Sequence, residues 1–305
     1  MRIAVTGATG FVGTRLVERL VAGEHHVLVL TRRMVAAFDH PLISAEIVRL
    51  DSVGPAMLDG ADAVVHCAVT ESQEPAEARH VNRDGTQAIA QASLQAGVPR
   101  FVHISSAAIY DFAELGDIQI EETHPLVPHG NGFIPSGGYP SVYAVTKAEA
   151  EDELSHLSKA GLPVTILRPT GVLGAGANSA WGTRVPHLFL AGNTFPRHPE
   201  NTFGFIGVED LVDAIVAAIS TSATTTANVV GGHVPFSAYI DALEKFLPGR
   251  PRLERATELP AWRGSYSIQT LRQTLGVEPE QTFEALMDEI GDYWSRHSPE
   301  SRATS

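Results

Sequence analysis

The stretch Ile3-Ala4-Val5-Thr6-Gly7-Ala8-Thr9-Gly10-Phe11-Val12-Gly13 decides the fold of this 305-residue chain. An apolar run leads into three glycines, and a helical pattern of apolar residues follows and stops at Gly23. In a strand–turn–helix unit of this kind, glycine permits a sharp turn and close backbone approach to a pyrophosphate, while the helix N-terminus offers free N–H groups. We therefore predict a dinucleotide site formed by Gly7, Thr9, Gly10, Phe11, Val12 and Gly13.

Composition narrows the class of protein and its partners. The chain has a formal net charge of −13 and one cysteine, and it lacks the roughly 18 consecutive apolar residues that a membrane span needs. We expect no nucleic-acid partner, because acidic charge repels a phosphate backbone, and no membrane association. A strand that begins at Arg2 leaves no room for a leader sequence, so the expected location is the cytoplasm. No metal site is predicted.

Short β-branched runs alternate with helical patterns through the first half of the chain, which is typical of βαβ units. The sequence predicts an α/β fold: a Rossmann-type doubly wound parallel sheet with a smaller C-terminal substrate-binding lobe. Residues 1–170 and 204–232 are assigned to the Rossmann domain, 171–203 and 233–305 to the lobe, and 221–226 to a linker. The predicted strands after the first are 27–30, 47–50, 63–66, 101–104, 164–167 and one near Val229; the clearest helices are 81–96, 141–159 and 208–220.

The end of the second predicted strand favours NADP(H). NAD sites usually carry an acidic residue there, whereas this chain has Thr31, Arg32 and Arg33, and arginine suits a 2′-phosphate. A solvated loop is the other interpretation of these arginines. NADPH is therefore the preferred cofactor and NAD the alternative.

Further candidate cofactor contacts follow other predicted strands. Asp51 is a candidate partner for the adenine amine or a turn-forming residue. Cys67, Ala68 and Pro169 are the other candidates, with the Cys67 side chain more simply explained by packing.

Tyr143 and Lys147 are four positions apart in a predicted helix, so their side chains share one face. A phenol is a poor acid or base near neutral pH, and a nearby ammonium stabilises its ionised form. Lys147 can also bind a nicotinamide ribose. The fifth predicted strand ends in Ser105-Ser106, where a hydroxyl would share the substrate oxygen with Tyr143.

Several motifs in order make the chain resemble the extended short-chain dehydrogenase/reductases, the NAD-dependent epimerase/dehydratase family. The resemblance implies that Ser106 is the catalytic serine, Tyr143 the general acid or base and Lys147 its activator. It also implies that Asn82 supports the active site; the alternative is that Asn82 is an ordinary polar residue of a helix. A third implication is that helices 81–96 and 141–159 pair in a homodimer. The motifs are TGATGFVG at 6–13, HVNRDGT at 80–86, HISSAAIY at 103–110, YAVTK at 143–147, LRP at 167–169 and FIGVEDLVDAI at 205–215.

Two departures from that family bear on the substrate. Members that act on nucleotide sugars commonly have Asn after the LRP motif and Arg ahead of the Phe-Ile-x-Val-Glu-Asp motif; this chain has Gly171 and Phe203 there. Without those groups a diphosphate is poorly compensated, unless Arg184 and Arg197 replace them. Other predicted substrate contacts are Thr170, Trp181, and Phe133 and Tyr139 in a long loop at 129–140, where local packing of the aromatics is an equal alternative.

These features lead to three functional hypotheses. The first is an NADPH-dependent ketoreductase that passes a hydride to a small or medium carbonyl substrate, in specialised metabolism, with Tyr143 as the general acid. The second is a nucleotide-sugar epimerase or 4-ketoreductase. The third is a dinucleotide sensor without catalysis, against which the complete set of Ser106, Tyr143 and Lys147 argues.

Overall fold

The fold is known from a computed structural model, which describes residues 1–33, 38–130, 140–192, 198–221, 223–247 and 261–297. A seven-stranded parallel sheet forms its centre, in the order β10-β7-β5-β4-β1-β2-β3. The predicted Rossmann-type doubly wound sheet is thereby confirmed. Its strands are β1 (Arg2–Thr6), β2 (His26–Thr31), β3 (Ile43–Ile47), β4 (Ala63–His66), β5 (Phe101–Ile104), β7 (Val164–Pro169) and β10 (Thr225–Val229).

Helices cover both faces of this sheet, which explains why its central strands are apolar along their whole length. On one face α1 (Phe11–Ala22) packs against α7 (Val208–Ser220), and on the other α3 (Gly85–Gln95) packs against α5 (Val142–Lys159). Each face has its own buried apolar cluster. The strand order reverses direction between β1 and β4, and ligands of such sheets bind in the crevice at the carboxyl ends of the strands on either side.

A smaller lobe lies beyond the end of β7. Its three-stranded sheet, in the order β11-β9-β8, packs with helices around an aromatic core that includes Phe203, Phe236 and Tyr239. The lobe elements are β8 (Gly171–Leu173), α6 (Val185–Leu190), β9 (Thr202–Gly207), β11 (Gly232–Pro235), α8 (Phe236–Glu244) and α10 (Phe283–His297).

The remaining elements are short. Helix α2 (Pro75–Arg79) runs through a wider π-helical turn, His80–Asp84, into α3, so that the chain is helical from Pro75 to Gln95. A second π-helical turn, Ala180–Arg184, precedes α6. The others are α4 (Phe112–Leu115), β6 (Gln119–Ile120), which pairs with β12 (Ser265–Tyr266), and α9 (Gln269–Leu275).

Three sequence-based assignments differ from the structure, and two of them concern sheet edges. The third strand is Ile43–Ile47 rather than 47–50; as an edge strand it is mostly exposed, so its apolar signal is weak. The predicted linker 221–226 includes the start of β10, at the other edge, where β-branched threonines suit a strand. Residues 204–207 belong to β9 of the lobe sheet, and the chain returns to the large sheet with α7.

Two strands, β4 and β5, match their predicted bounds residue for residue, and helix α7 does as well. Among the described residues, no helix combines the length and the apolar character that crossing a bilayer requires.

Candidate active site

The glycine turn lies at the carboxyl end of β1 and is too tight for side chains. Gly7 has a φ of +70°, and a Cβ there would lie 2.5 Å from the backbone of Cys67 and Ala68. A Cβ on Gly13 would lie 2.2 Å from the carbonyl oxygen of Gly7. Helix α1 begins without a side-chain cap at Gly10 and without an acidic residue in its first turn. This bare helix N-terminus beside a backbone-lined turn fits the diphosphate of a dinucleotide.

The loop after β4 forms the neighbouring wall. The N–H of Cys67 donates to the carbonyl oxygen of Thr6 at 3.2 Å, and the N–H of Ala68 to Thr6 Oγ1 at 3.4 Å. Burial raises the pKa of Cys67 to about 12, so its thiol stays protonated at neutral pH and serves packing. The structure thus brings Cys67 and Ala68 against the predicted glycine turn, with Pro169 buried at the end of β7.

The end of β2 presents two exposed arginines. Thr31 is buried, and its hydroxyl donates to the carbonyl oxygen of Arg33 at 2.9 Å and accepts from the N–H of Arg33 at 3.3 Å. This local turn leaves Arg32 and Arg33 exposed at the carboxyl edge of the sheet. Neither forms an ion pair with another described residue.

Asp51 lies in a short 3₁₀ helix, Leu50–Ser52, beyond the end of β3. Its carboxylate accepts hydrogen bonds from Arg49 at 3.2 and 3.3 Å and from the Ser52 hydroxyl at 3.0 Å. These contacts favour the turn-forming interpretation, because they already occupy the carboxylate that an adenine amine would need.

Tyr143 lies in the first turn of α5, where Ser141 caps the helix by accepting from the N–H of Ala144 at 3.2 Å. Ser106 follows β5, and its hydroxyl oxygen accepts from the N–H of Ala108 at 3.1 Å. Desolvation raises the pKa of Tyr143 to about 12, and the neighbouring Ser106 side chain acts in the opposite direction. The phenol is therefore a proton donor at neutral pH, next to a hydroxyl that can orient the same acceptor.

Lys147 is one helical turn further along α5 and is 1% exposed. Its ammonium donates to the carbonyl oxygen of Ile104 at 2.6 Å and lies 3.1 Å from His103 Nε2. Burial lowers the pKa of Lys147 to about 8, with Glu151 acting in the opposite direction. Lys147 remains mostly protonated at pH 7 and thus supplies a buried positive charge at the end of β5.

Asn82 connects the catalytic helix with the loop after β4. Its Nδ2 donates to the carbonyl oxygen of Thr70 and to Thr146 Oγ1, both at 3.0 Å, and its Oδ1 accepts from the N–H of Thr70 at 2.9 Å. Asn82 is 1% exposed and sits in the π-helical turn before α3. Its amide therefore holds the backbone of Thr70 and the side chain of Thr146, the residue before Lys147.

Phe203 occupies the space beside Gly171. A Cβ on Gly171 would lie 2.8 Å from two atoms of the Phe203 ring, so no larger residue fits at 171 while that ring stays in place. Phe203 is buried in the lobe core against Trp181, with ring centroids 4.7 Å apart. Thr170 lies at the junction with this lobe, and its Oγ1 is buried without a described partner. Phe133 and Tyr139, the other predicted substrate contacts, lie outside the described residues, as does Arg197.

An ion pair between the sheet domain and the lobe acts on Tyr143. Glu71, in the loop after β4, pairs with Arg184, at the end of the π-helical turn in the lobe. Both side chains are about half exposed, and both charges act on the Tyr143 phenol: Glu71 raises its pKa and Arg184 lowers it. Arg184 is therefore near the reacting group but already has a carboxylate partner.

Sequence patterns did not identify every residue that contacts this site. The patterns mark His103 only as part of a strand, and they do not mark Glu71 at all. The signal for His103 was its position at the end of β5, level with His66 at the end of β4, but only the strand register reveals that alignment.

A family model matches most of the chain. The model of the NAD dependent epimerase/dehydratase family matches residues 3–231. Among curated proteins, UDP-glucose 4-epimerase of Vibrio cholerae is 28% identical over 228 residues, covering 71% of this chain and 66% of that protein. The 4-hydroxy-2-methyl-3-oxo-4-farnesyl-3,4-dihydroquinoline-1-oxide ketoreductase of Stigmatella aurantiaca is 31% identical over 183 residues, covering 57% of this chain and 51% of that one. The chain thus matches between half and two thirds of the length of these relatives.

Solved structures share the fold at low identity. UDP-glucuronic acid 4-epimerase from Bacillus cereus, in complex with UDP-glucuronic acid and NAD, superposes with a TM-score of 0.79 and 19% identity, covering 97% of this chain and 99% of that one. The NAD dependent NDP-hexosamine 5,6-dehydratase TunA, involved in tunicamycin biosynthesis, gives a TM-score of 0.78 at 23% identity, covering 98% and 99%.

Proposed function

The chain belongs to the NAD-dependent epimerase/dehydratase family, whose members are NAD(P)-dependent enzymes, and from that membership we propose that it is an NADPH-dependent ketoreductase. Its substrate is a small or medium carbonyl compound, and specialised metabolism is the proposed setting. The Stigmatella ketoreductase provides a precedent for this reaction among the relatives.

The protonated Tyr143 phenol beside the Ser106 hydroxyl, which acts on its pKa, carries the proposal of acid catalysis at a carbonyl. The cofactor supplies a hydride, and Gly7, Gly10, Gly13 and the start of α1 would hold its diphosphate. Tyr143 delivers a proton to the carbonyl oxygen while Ser106 orients that oxygen. Lys147 stabilises the phenolate that remains after proton transfer, because an ammonium in a buried site interacts strongly with a developing negative charge.

The contact between Gly171 and Phe203 favours a reductase over a sugar-nucleotide epimerase. An epimerase must oxidise its substrate, let the ketone rotate and return the hydride to the other face, which requires a firm hold on the rest of the substrate. The family residues associated with the diphosphate are replaced here by a glycine and a buried ring that contact each other. A reductase does not require residues that bind a substrate diphosphate in this way.

A nucleotide-sugar epimerase or 4-ketoreductase is the second candidate. Its support is the UDP-sugar chemistry in the names of the Vibrio and Bacillus relatives, together with Arg184, a cation facing Tyr143. Glu71 already pairs with this arginine, so a diphosphate would have to displace a carboxylate to reach it. This competition makes the epimerase the weaker candidate.

NADPH is the proposed cofactor because Thr31, Arg32 and Arg33 replace the acidic end of β2 and because both arginines are exposed there. Asp51 is the weaker candidate for contact with the adenine amine, since its carboxylate binds Arg49 and Ser52. A homodimer through the faces of α3 and α5 remains a proposal of the family resemblance. A cytoplasmic location and a substrate mouth lined by the lobe remain proposals from the sequence.

The decisive experiment offers both kinds of substrate to the same preparation. NADPH consumption is followed with a panel of ketones and aldehydes, and calorimetry measures binding of UDP- and dTDP-hexoses. Stoichiometric oxidation of NADPH with a carbonyl compound, absent in Tyr143→Phe, supports the reductase. Micromolar binding of a sugar nucleotide without net oxidation of NADPH would overturn it in favour of the epimerase.

A further inference from the structure

A buried polar row crosses the carboxyl ends of three adjacent strands. Thr6 on β1, His66 on β4 and His103 on β5 occupy matching positions in the strand register, and all three are 0% exposed. The imidazole rings of His66 and His103 are stacked, with centroids 5.4 Å apart and an interplanar angle of 20°. The row therefore reaches from the glycine turn to the strand that precedes Ser106.

Hydrogen bonding around His66 determines its tautomer. Thr86 Oγ1 donates to the carbonyl oxygen of Asn82 at 2.6 Å, so its oxygen must accept from His66 Nε2, 3.0 Å away. His66 Nδ1 is then an acceptor, and Thr6 Oγ1 donates to it at 2.7 Å. Burial lowers the pKa of His66 to about 3. His66 is thus a neutral ring held at both nitrogens, and it presents a fixed face to His103.

His103 has one polar partner among the described residues, and that partner is the catalytic lysine. Its Nε2 lies 3.1 Å from Lys147 Nζ, whereas its buried Nδ1 has no described partner. Burial, followed by the charge of Lys147, holds the pKa of His103 well below its ordinary value. A neutral imidazole beside an ammonium accepts a hydrogen bond at Nε2, so its own ring hydrogen lies on Nδ1.

We propose that His103 is a positioning residue for Lys147. Its imidazole accepts one ammonium hydrogen and, with the carbonyl oxygen of Ile104, holds the Lys147 head at the end of β5, one helical turn from Tyr143. The stacked ring of His66 fixes the plane of His103, which has no hydrogen bond at Nδ1 to do so. The role in catalysis rests on the proposed function of Lys147, but the contact itself is testable without a substrate.

The ionisable groups around Lys147 predict the direction in which its pKa should change in a His103 variant. Glu151 on the same helix favours the ammonium and burial disfavours it, whereas Cys67 from the loop after β4, His66 and His103 are neutral near the Lys147 midpoint. His103→Phe keeps a flat ring for stacking but removes the acceptor, so the ammonium loses a partner and its pKa falls. His103→Gln keeps an acceptor near the position of Nε2 and should largely restore it.

The chain contains three lysines, Lys147, Lys159 and Lys245, which makes nuclear magnetic resonance with ¹³Cε-labelled lysine selective. The full chain is titrated without cofactor, and the Lys147 signal is assigned with Lys147→Arg. The wild-type midpoint is expected at about 8. We expect His103→Phe to lower it by about one pH unit, a usual size for a lost bond to the charged form, and His103→Gln to stay within half of that change. The signals of Lys159 and Lys245 serve as internal references.

An unchanged Lys147 midpoint in folded His103→Phe would overturn the proposal. If that variant does not fold by circular dichroism, the wild-type protein decides: ¹⁵N spectra must show His103 protonated at Nδ1 and unprotonated at Nε2, and the opposite tautomer refutes it. Because neither measurement uses a carbonyl substrate, a failed reductase assay and a failed positioning role give different results.

Discussion

Glu151 and Arg168 form a two-point ion pair that is buried on both sides, with distances of 2.6 Å and 3.0 Å between nitrogen and oxygen atoms. The pair ties α5, one turn after Lys147, to the end of β7.

Removing one partner of a buried pair leaves the other charge uncompensated, so Glu151→Gln should lower the free energy of unfolding by about 3–5 kcal/mol. Urea unfolding measures this. Glu153→Gln on the same helix is the control and should change it by less than about 1 kcal/mol; equal effects would contradict the special role of the buried pair.

Cofactor selectivity should depend on the arginines after β2. We expect NADPH to bind at least about tenfold more tightly than NADH, a difference of about 1.4 kcal/mol, and Arg32→Ala to remove most of that preference while leaving NADH affinity nearly unchanged. Fluorescence titration of both cofactors tests this. Arg49→Ala, which removes an exposed arginine that pairs with Asp51, serves as the control. Equal affinities in the wild-type protein would refute NADPH selectivity.

Substitutions of Tyr143 and Lys147 should affect different steps of the reaction. Tyr143→Phe should reduce kcat by about 10²–10⁴ with cofactor affinity retained, because the phenol transfers a proton and does not hold the dinucleotide. Lys147→Ala should impair both. Ser106→Ala should resemble Tyr143→Phe in steady-state kinetics.

Ser105→Ala is the matched control for the serine assignment. Ser105 is buried and its hydroxyl has no described partner, so its loss should be mild. A stronger effect at Ser105 than at Ser106 would show that the wrong hydroxyl was assigned, and a Tyr143→Phe enzyme with near-normal kcat would exclude the phenol from proton transfer.

The packing of Phe203 on Gly171 predicts a coupled effect on stability. Gly171→Ala should destabilise the protein by about 1–3 kcal/mol, as overpacking in a core does, because its Cβ would lie 2.8 Å from the ring. In a Phe203→Leu background the same substitution should be less destabilising, and a double-mutant cycle from thermal or urea unfolding measures the difference. Strict additivity would show that the ring does not restrict position 171.

Acid should unfold the protein through its neutral histidines. The pKa of His66 is about 3 in the folded chain against an ordinary 6.5, so the unfolded chain binds the proton first and stability falls as pH drops from 6.5 towards 3. This one group contributes up to about 1.4 kcal/mol per pH unit in that range. Unfolding free energies at several pH values should show a shallower slope in His66→Gln, and exposed His26→Gln should keep the wild-type slope.

Local apolar patterns in the sequence were sufficient to predict those elements of the fold in which the apolar signal is strong. The glycine turn, the buried strands β4 and β5, and α7 follow from apolar runs bounded by glycine and proline. The edge strand β3 lies four residues before its predicted position, and the first two residues of β10 fall in the predicted linker although a strand near Val229 is confirmed, because an exposed edge has little apolar signal and threonine occurs in both contexts.

Within the candidate site, spacing along one helix placed Tyr143 and Lys147 together, whereas contacts across strands were invisible to it. The stack of His66 on His103 depends on strand register, and the Glu71–Arg184 pair joins a loop of the sheet domain to the lobe. Residues separated by that much chain are brought together by topology, which single-sequence periodicity does not encode.

The lobe sheet is assembled from two separate passes of the chain. Strands β8 and β9 arrive with residues 171–207, while β11, which pairs with β9, arrives only after the chain has returned to the large sheet through α7 and β10. A hybrid of two relatives joined within α7 would therefore pair a foreign β11 with the native β9. An exchange of the intact lobe, which we propose binds the substrate, has to replace both passes of the chain at once.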